Sequence, residues 1–192
     1  MTTATDLPGF ADPVLDAQAA FRAVLAALSS PGSIHTVGTG LTPPAPRATA
    51  TAAVLLALVD GETSLAIATA LQPATAWLAF HCGPATAPMT DAGFVLADAL
   101  PDLTAVDTGS DEVPERAATV ILQVATLGSG DRFTLAGPGL QHPTQFAVDG
   151  LPADFAARWA ANRALYPRGI DLILCAGTRL AALPRSVTVR EG

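Results

Sequence analysis

The chain has 192 residues, half of them apolar and 14% charged, which fits one domain with a substantial core and excludes a disordered chain. All ten basic residues are arginine, so no lysine is present to form a Schiff base with pyridoxal phosphate or to complete a P-loop, and both enzyme classes are excluded. The formal net charge of −7, with arginines scattered from Arg22 to Arg190, opposes non-specific binding to nucleic acid or to anionic membranes.

Asp12-Pro13 predicts a helix start, with aspartate as cap and proline in the first helical position. Val14, Ala17, Phe21, Leu25 and Leu28 recur at helical spacing, with Val24 beside them, and mark the face expected to be buried. Arg22 falls on the same arc. Ser29-Ser30-Pro31-Gly32 ends the helix, and residues 33–37 read as a short strand. Residues 38–46, rich in glycine and proline, form a surface loop. Residues 48–58 predict a helix that is apolar nearly all round and therefore buried. Asp60-Gly61 turns the chain into a strand at 65–68, and a helix follows at 73–80.

Another short strand is expected at 93–97. Residues 117–127, β-branched and nearly continuous, predict a single strand in mid-sheet. Gly128-Ser129-Gly130-Asp131 reads as a hairpin turn into a strand at 132–136. A helix at 152–164 carries Phe155 and Trp159 on one face. Strands at 170–174 and 179–183 close the chain, joined by a tight turn at Ala176-Gly177-Thr178. Early alternation of helix and strand followed by hairpins predicts an α/β layer fold with a mixed sheet, one domain over residues 1–192. The longest apolar runs are far too short to cross a bilayer, and residues 1–8 lack the basic and apolar segments of a leader, so a cytoplasmic protein is expected. A high apolar fraction with few charges also implies that some apolar face is covered by a partner chain.

The motifs assemble no complete active site. Gly128-Ser129-Gly130 and Gly137-Pro138-Gly139 both lack the third glycine of a dinucleotide fingerprint. Gly137 and Gly139 flank a proline after a strand, where backbone N–H groups could face an anion. No Gly-x-Ser-x-Gly elbow is present, and Ser29 sits at a helix end, where serine ordinarily caps or turns. His35, His81 and His142 stand in separate elements without metal-ligand spacing. Cys82 and Cys175 lie in apolar text and read as buried, inert thiols. Asp171, a charge among apolar strand residues, needs a cationic partner, and Arg185 is one candidate, as a structural ion pair or as part of a ligand site.

Several segments, taken in order, resemble the H subunit family of carbon–phosphorus lyase, the bacterial phosphonate-degrading machinery. They are Phe21-Arg22-x-x-Leu25-x-Ala27-x-Ser29-x-Pro31-Gly32, Thr119 to Ala125 with Leu135-Ala136-Gly137-Pro138-Gly139-Leu140, and Pro167-x-Gly169-Ile170-Asp171-Leu172-Ile173-Leu174 with Leu183-Pro184-Arg185-Ser186. The agreement runs from about residue 12 to 186, weaker over 38–111 apart from Phe80-His81. The resemblance implies a three-layer α/β sandwich like the large domain of pyridoxal-phosphate-dependent transferases, without the cofactor or its lysine. It implies homodimers, and a core complex with subunits G, I and J. With G, I and an ATPase-like subunit L, the family is implicated in making ribose 1-methylphosphonate 5-triphosphate from ATP and methylphosphonate. The iron–sulfur cluster of the later C–P cleavage belongs to J, and two cysteines here cannot furnish one. No catalytic residue, cofactor or metal is assigned, and no activity of the isolated chain is expected. The candidate ligand-binding residues are Arg22, Ser29, Gly32, Gly137, Gly139, Asp171 and Arg185, arginines for bidentate oxyanion contacts and glycines for backbone donors. The alternative is a stand-alone enzyme acting on a phosphorylated ligand.

Overall fold

The structure, a computed structural model, describes residues 7–192. Most of the opening stretch, residues 1–8, therefore lies outside the described residues. A seven-stranded mixed sheet, in the order β1-β9-β8-β5-β4-β2-β3, forms the centre. Its strands are β1 (His35–Thr36), β2 (Ser64–Ile67), β3 (Ala85–Thr86), β4 (Phe94–Ala97), β5 (Thr119–Gln123), β8 (Asp171–Ala176) and β9 (Arg179–Leu183). The ladder from β3 through β8 is parallel, with Leu65 opposite Phe94, Phe94 opposite Thr119 and Thr119 opposite Asp171. β9 and β1 extend it by antiparallel pairing.

The alternation of strand residues splits the core in two. Leu65, Leu96, Ile121, Ile173, Cys175 and Leu180 face one side, packed against helices α1 (Pro13–Ser29), α2 (Thr49–Leu58) and α3 (Thr75–His81). Val95, Val120, Leu122, Leu172, Leu174 and Ala181 face the other. That side is covered by helix α4 (Phe155–Ala164) and a small antiparallel sheet, β10-β6-β7, made of β6 (Thr126–Ala136), β7 (Thr144–Asp149) and β10 (Thr188–Glu191). The expected α/β fold with a mixed sheet is present. Residues 119–123 are its central strand, and α2 is buried from Ala50 to Leu55. Phe155 and Trp159 are both buried on one face of α4.

Three expectations need correction. Residues 117–127 are not one strand. The Val124 amide still bonds Cys175 O of β8, but the next amide, Ala125, bonds Asp149 O of β7, so the chain changes sheets between them. Gly128-Ser129-Gly130 is not a hairpin turn but a bulge inside β6. Leu127 and Asp131 both stand opposite Val148, and the extra residues are looped out. The hairpin turn lies later, between β6 and β7.

The third correction concerns α1. Its buried residues are the small Ala20 and Ala27 with Val24, which lets the helix sit close on β9 and α2. Val14, Phe21 and Leu25, read as the core face, are exposed. Arg22 is exposed with them. The segment after residue 6 lies across α3, where Leu7 O accepts from the Trp77 indole at 2.9 Å and contacts His81 Nε2 at 3.1 Å. A carbonyl can only accept, so that imidazole nitrogen carries a proton.

Candidate functional site

An open parallel sheet ordinarily binds ligands beyond the carboxyl ends of its strands, often at a helix N-terminus. Here that space is filled by the chain itself. Gln123, the last residue of β5, turns its amide towards α2. Its Oε1 accepts from the Ala48 amide at 2.7 Å and from the Thr51 hydroxyl at 3.2 Å, while its Nε2 donates to Pro46 O at 2.9 Å. The Ala50 amide donates to Gly177 O at 2.8 Å. The Ala48 and Ala50 amides, which could otherwise meet an anion, are thus already used. Arg47 is buried beside them with its guanidinium 4.9 Å from the Trp77 ring centre. Burial pulls its pKa down to about 10, against a smaller opposing effect of Cys82, so it remains a cation at neutral pH. Sequence reasoning passed over Gln123. The available signal was an amide in a run of β-branched and aliphatic strand residues, which needs partners when the strand is central.

The seven candidate residues fall into three places. Ser29, Gly32, Gly137 and Gly139 gather where the end of α1 meets the β6–β7 connection. Gly139, at φ +84°, packs against the Ser29 carbonyl and Pro31, and a side chain there would collide with both. Gly32, at φ +83°, sits over Leu135 and Phe146, and its added Cβ would stand 2.8 Å from Leu135 Cδ1. The Ser29 hydroxyl donates to Ala26 O at 3.0 Å, the ordinary bond of a helix end. Gly137 approaches Ser186 O and the Val187 backbone. Of this group, Gly32 also lines a groove of about 250 Å³.

Asp171 and Arg185 form the second place. Arg185 Nη2 lies 2.7 Å from Asp171 Oδ2, its Nε contacts both carboxylate oxygens at 3.2 Å, and its backbone amide donates to Oδ1 at 2.8 Å. Nη1 donates to Pro114 O at 2.8 Å and to Pro167 O at 3.4 Å. The pair therefore ties the start of β8 to the end of β9 and to two loops, with side chains only 14% and 24% exposed. Arg22 is alone in the third place, on the solvent side of α1.

Among the described residues no group of three or more histidine, cysteine or acidic side chains could hold a metal. Burial pushes the Cys175 thiol up to about 12 and the Cys82 thiol up to about 11, so both are protonated at neutral pH. No described helix is long and apolar enough to cross a membrane. The largest apolar exposure is along α1, where Val14 is 74% exposed, Leu15 62%, Leu25 49% and Phe21 44%. Val14, Gln18, Phe21 and Leu25 stand four, three and four residues apart, one stripe about 16 Å long. It faces away from Ala20, Val24 and Ala27.

The sequence profile described as bacterial phosphonate metabolism protein (PhnH) matches residues 8–190. A protein of Rhizobium meliloti (strain 1021) named alpha-D-ribose 1-methylphosphonate 5-triphosphate synthase subunit PhnH is 38% identical over 188 residues, 95% of this chain and 94% of that protein. A Stutzerimonas stutzeri protein named putative C-P lyase subunit protein HtxG is 34% identical over 173 residues, 90% of this chain and 85% of its own length. With the match running through the opening helix, the central strands and the closing Asp171–Arg185 segment alike, the chain belongs to the PhnH family of bacterial phosphonate metabolism proteins.

Proposed function

We propose that this chain is an accessory subunit of the carbon–phosphorus lyase machinery, acting in the formation of ribose 1-methylphosphonate 5-triphosphate from ATP and methylphosphonate. The observation that carries the reading is the likeness to a synthase subunit over nearly the whole length of both chains. The geometry agrees in kind. The crevice of the central sheet is filled by Gln123, Pro46 and Arg47, as suits a subunit that works by assembly. In this reading the sheet keeps the layered form of a pyridoxal-phosphate transferase domain, and the protein works in the cytoplasm with subunits G, I and J.

The exposed stripe of α1 is the surface we assign to a second copy of the chain. Gln18 stands at its centre between Val14 and the Phe21–Leu25 pair. An amide both donates and accepts, so two copies related by a two-fold axis through Gln18 would satisfy each other's amides while burying the apolar residues on either side. One polar group in an apolar seam is also a known means of fixing register.

Co-expression with subunits G, I and J tests the subunit reading. The chain is expected to co-purify with them. Failure to do so, with each protein shown to be folded, rejects it. Turnover of a phosphorylated substrate by the purified chain alone would favour the stand-alone enzyme instead.

A further inference from the structure

The two sheets of this fold treat their free edges differently. A strand turns the N–H and C=O of alternate residues to each side, so one ladder bond tells which residues face an open edge. At β3, the Ala85 and Ala87 amides donate to Thr63 O and Leu65 O on the β2 side. Pro84, Thr86 and Pro88 therefore turn outward, and both prolines lack the N–H a further strand would need. That edge is guarded. At the other end of the same sheet, β1 is only two residues long. The chain entering β10 is held by α4, whose Trp159 indole donates to Val187 O at 2.9 Å and whose Arg163 Nε donates to Ser186 O at 3.3 Å.

β7 has no such guard. The Gly192 amide donates to Arg132 O, so the backbone of Arg132, and of Thr134 two residues on, turns toward β10. Phe133 and Leu135 turn theirs toward β7, where Phe146 and Thr144 stand opposite. Gln145 and Ala147 are left facing the free side. Gln145 Nε2 donates to the Oγ1 of Thr134, its direct opposite, at 2.9 Å, which fits the close side chains of a pair without ladder bonds. Among the described residues no strand, turn or side chain meets the N–H or C=O of Gln145 or Ala147. The strand holds no proline and no charge before Asp149, and its six residues run about 20 Å.

Beside this edge lies the groove of about 250 Å³. Its far wall is the chain at Gly32 and Ile34, and Gly128 of the β6 bulge also lines it. Glycines in the wall leave room for another backbone to approach. Phe146 and Ile34, both packed in the same core cluster, make its apolar lining. Arg132 lines the groove but shares a neighbouring hollow with Asp131 and Glu191, so charge does not choose the occupant.

We propose that the β7 edge takes an extended segment of a partner protein as the next strand of the small sheet. Gln145 and Ala147 pair with its backbone, and its side chains alternate, apolar toward Ile34 and Phe146 and polar toward Gln145 and water. The far wall decides against a second copy of the chain. Two folded sheets pair edge to edge only across open flanks, and each copy's β7 would be walled by its own Gly32–Ile34 segment. A single tail or loop enters such a slot. That the donor is a subunit of the phosphonate machinery rests on the subunit reading above, whereas the unpaired edge rests on the backbone alone.

The test is amide hydrogen exchange, read by mass spectrometry with residue-level fragmentation, on the chain alone and bound to co-purified subunits G, I and J. In the chain alone, the Gln145 and Ala147 amides are expected to exchange at least tenfold faster than that of Phe146. In the complex they should slow at least tenfold. Ala147→Pro removes an outward donor and no ladder bond, and should bind the G, I and J subunits at least tenfold more weakly by titration calorimetry. Ala147→Ser keeps the N–H and should bind as the wild type does. Gln145→Pro supplies the reading if Ala147→Pro loses its fold by circular dichroism. Slow exchange at Gln145 and Ala147 in the chain alone, no slowing in the complex, or full affinity in a folded proline variant overturns the proposal. So does a wild-type dimer that becomes monomeric in Ala147→Pro, since the edge would then serve a second copy. A wild type that binds none of the three subunits rejects the subunit reading and this strand donor together. One that binds them with its β7 amides unprotected rejects the strand alone, so the two failures are told apart.

Discussion

Replacing Arg185 with alanine should destabilise the fold, and the size of the loss decides whether that residue is a strut or a ligand contact. The guanidinium holds both oxygens of Asp171 and two carbonyls, and it joins the β8 and β9 ends to the loops at Pro114 and Pro167. Breaking a fully buried pair by removing one partner costs about 3–5 kcal/mol, because the remaining charge is left uncompensated. Here both side chains keep some water contact, at 14% and 24% exposure, so we expect about 2–4 kcal/mol. At this chain length that is a fall in Tm of about 4–16 °C. Asp171→Asn should lose less than Arg185→Ala, because an amide still accepts from the Arg185 backbone. Urea unfolding of Arg185→Ala, Asp171→Ala and the double variant closes a double-mutant cycle, and coupling above about 1 kcal/mol is expected. A folded Arg185→Ala variant within about 0.5 kcal/mol of the wild type would refute the structural reading. Arg185 would then be held for something outside the chain.

Four other outcomes follow from the same contacts. Phe21→Ser/Leu25→Ser should leave stability within about 1 kcal/mol, since both residues are half exposed, but leave a monomer by light scattering where the proposed α1 interface makes the wild type a dimer. An unchanged oligomer rejects the α1 interface. Gly139→Ala should lose about 2–4 kcal/mol, from the positive φ and the collision with the Ser29 carbonyl, read by urea unfolding. Trp159→Phe should lose about 2–4 kcal/mol, because it vacates buried volume and leaves Val187 O without its indole donor at 2.9 Å. Both thiols should resist a disulfide reagent at pH 8 until the protein is unfolded. Their folded pKa values, raised to about 11 and about 12, also mean that the folded state holds protons the unfolded chain has released. Stability from this source is complete below pH 9 and declines as pH rises from there through 12, which denaturation midpoints across that range would show.

Much of the layer order was legible because it depends on local periodicity. The all-apolar text of α2 could only be a buried helix, and the β-branched run after Thr119 could only be a central strand. Gly177 between two apolar strands marked the β8–β9 hairpin correctly. What failed was whatever depends on partners distant in sequence. The change of sheet between Val124 and Ala125 has no local mark, since both sheets accept the same β-branched residues. It is decided by Cys175 and Asp149, some 25 to 50 residues away. A glycine pair within a long ladder looks like a turn until the opposing strand is known to continue past it, and β7 and β10 are too short and mixed in polarity to stand out. Asp171 and Arg185 were legible as a pair because an isolated charge in a buried strand demands a partner and the chain offers only arginine.

The misreading of α1 carries a physical lesson. Its largest apolar residues fit a helical stripe, and the ordinary inference is that such a stripe faces the core. Yet the helix buries Ala20, Val24 and Ala27 instead, because only small residues let it approach β9 and the already crowded α2. A monomer gains nothing from displaying Val14, Leu15, Phe21 and Leu25 to water. At their partial exposure the four side chains together forgo about 3–7 kcal/mol of burial, comparable to the net stability of a marginal domain. In the proposed dimer this helix is packed on both sides, once by its own sheet and once by another chain. The excess of apolar residues over polar surface, visible in the composition before any element is assigned, has this helix as its main address. In that reading the working form of the protein is an assembly.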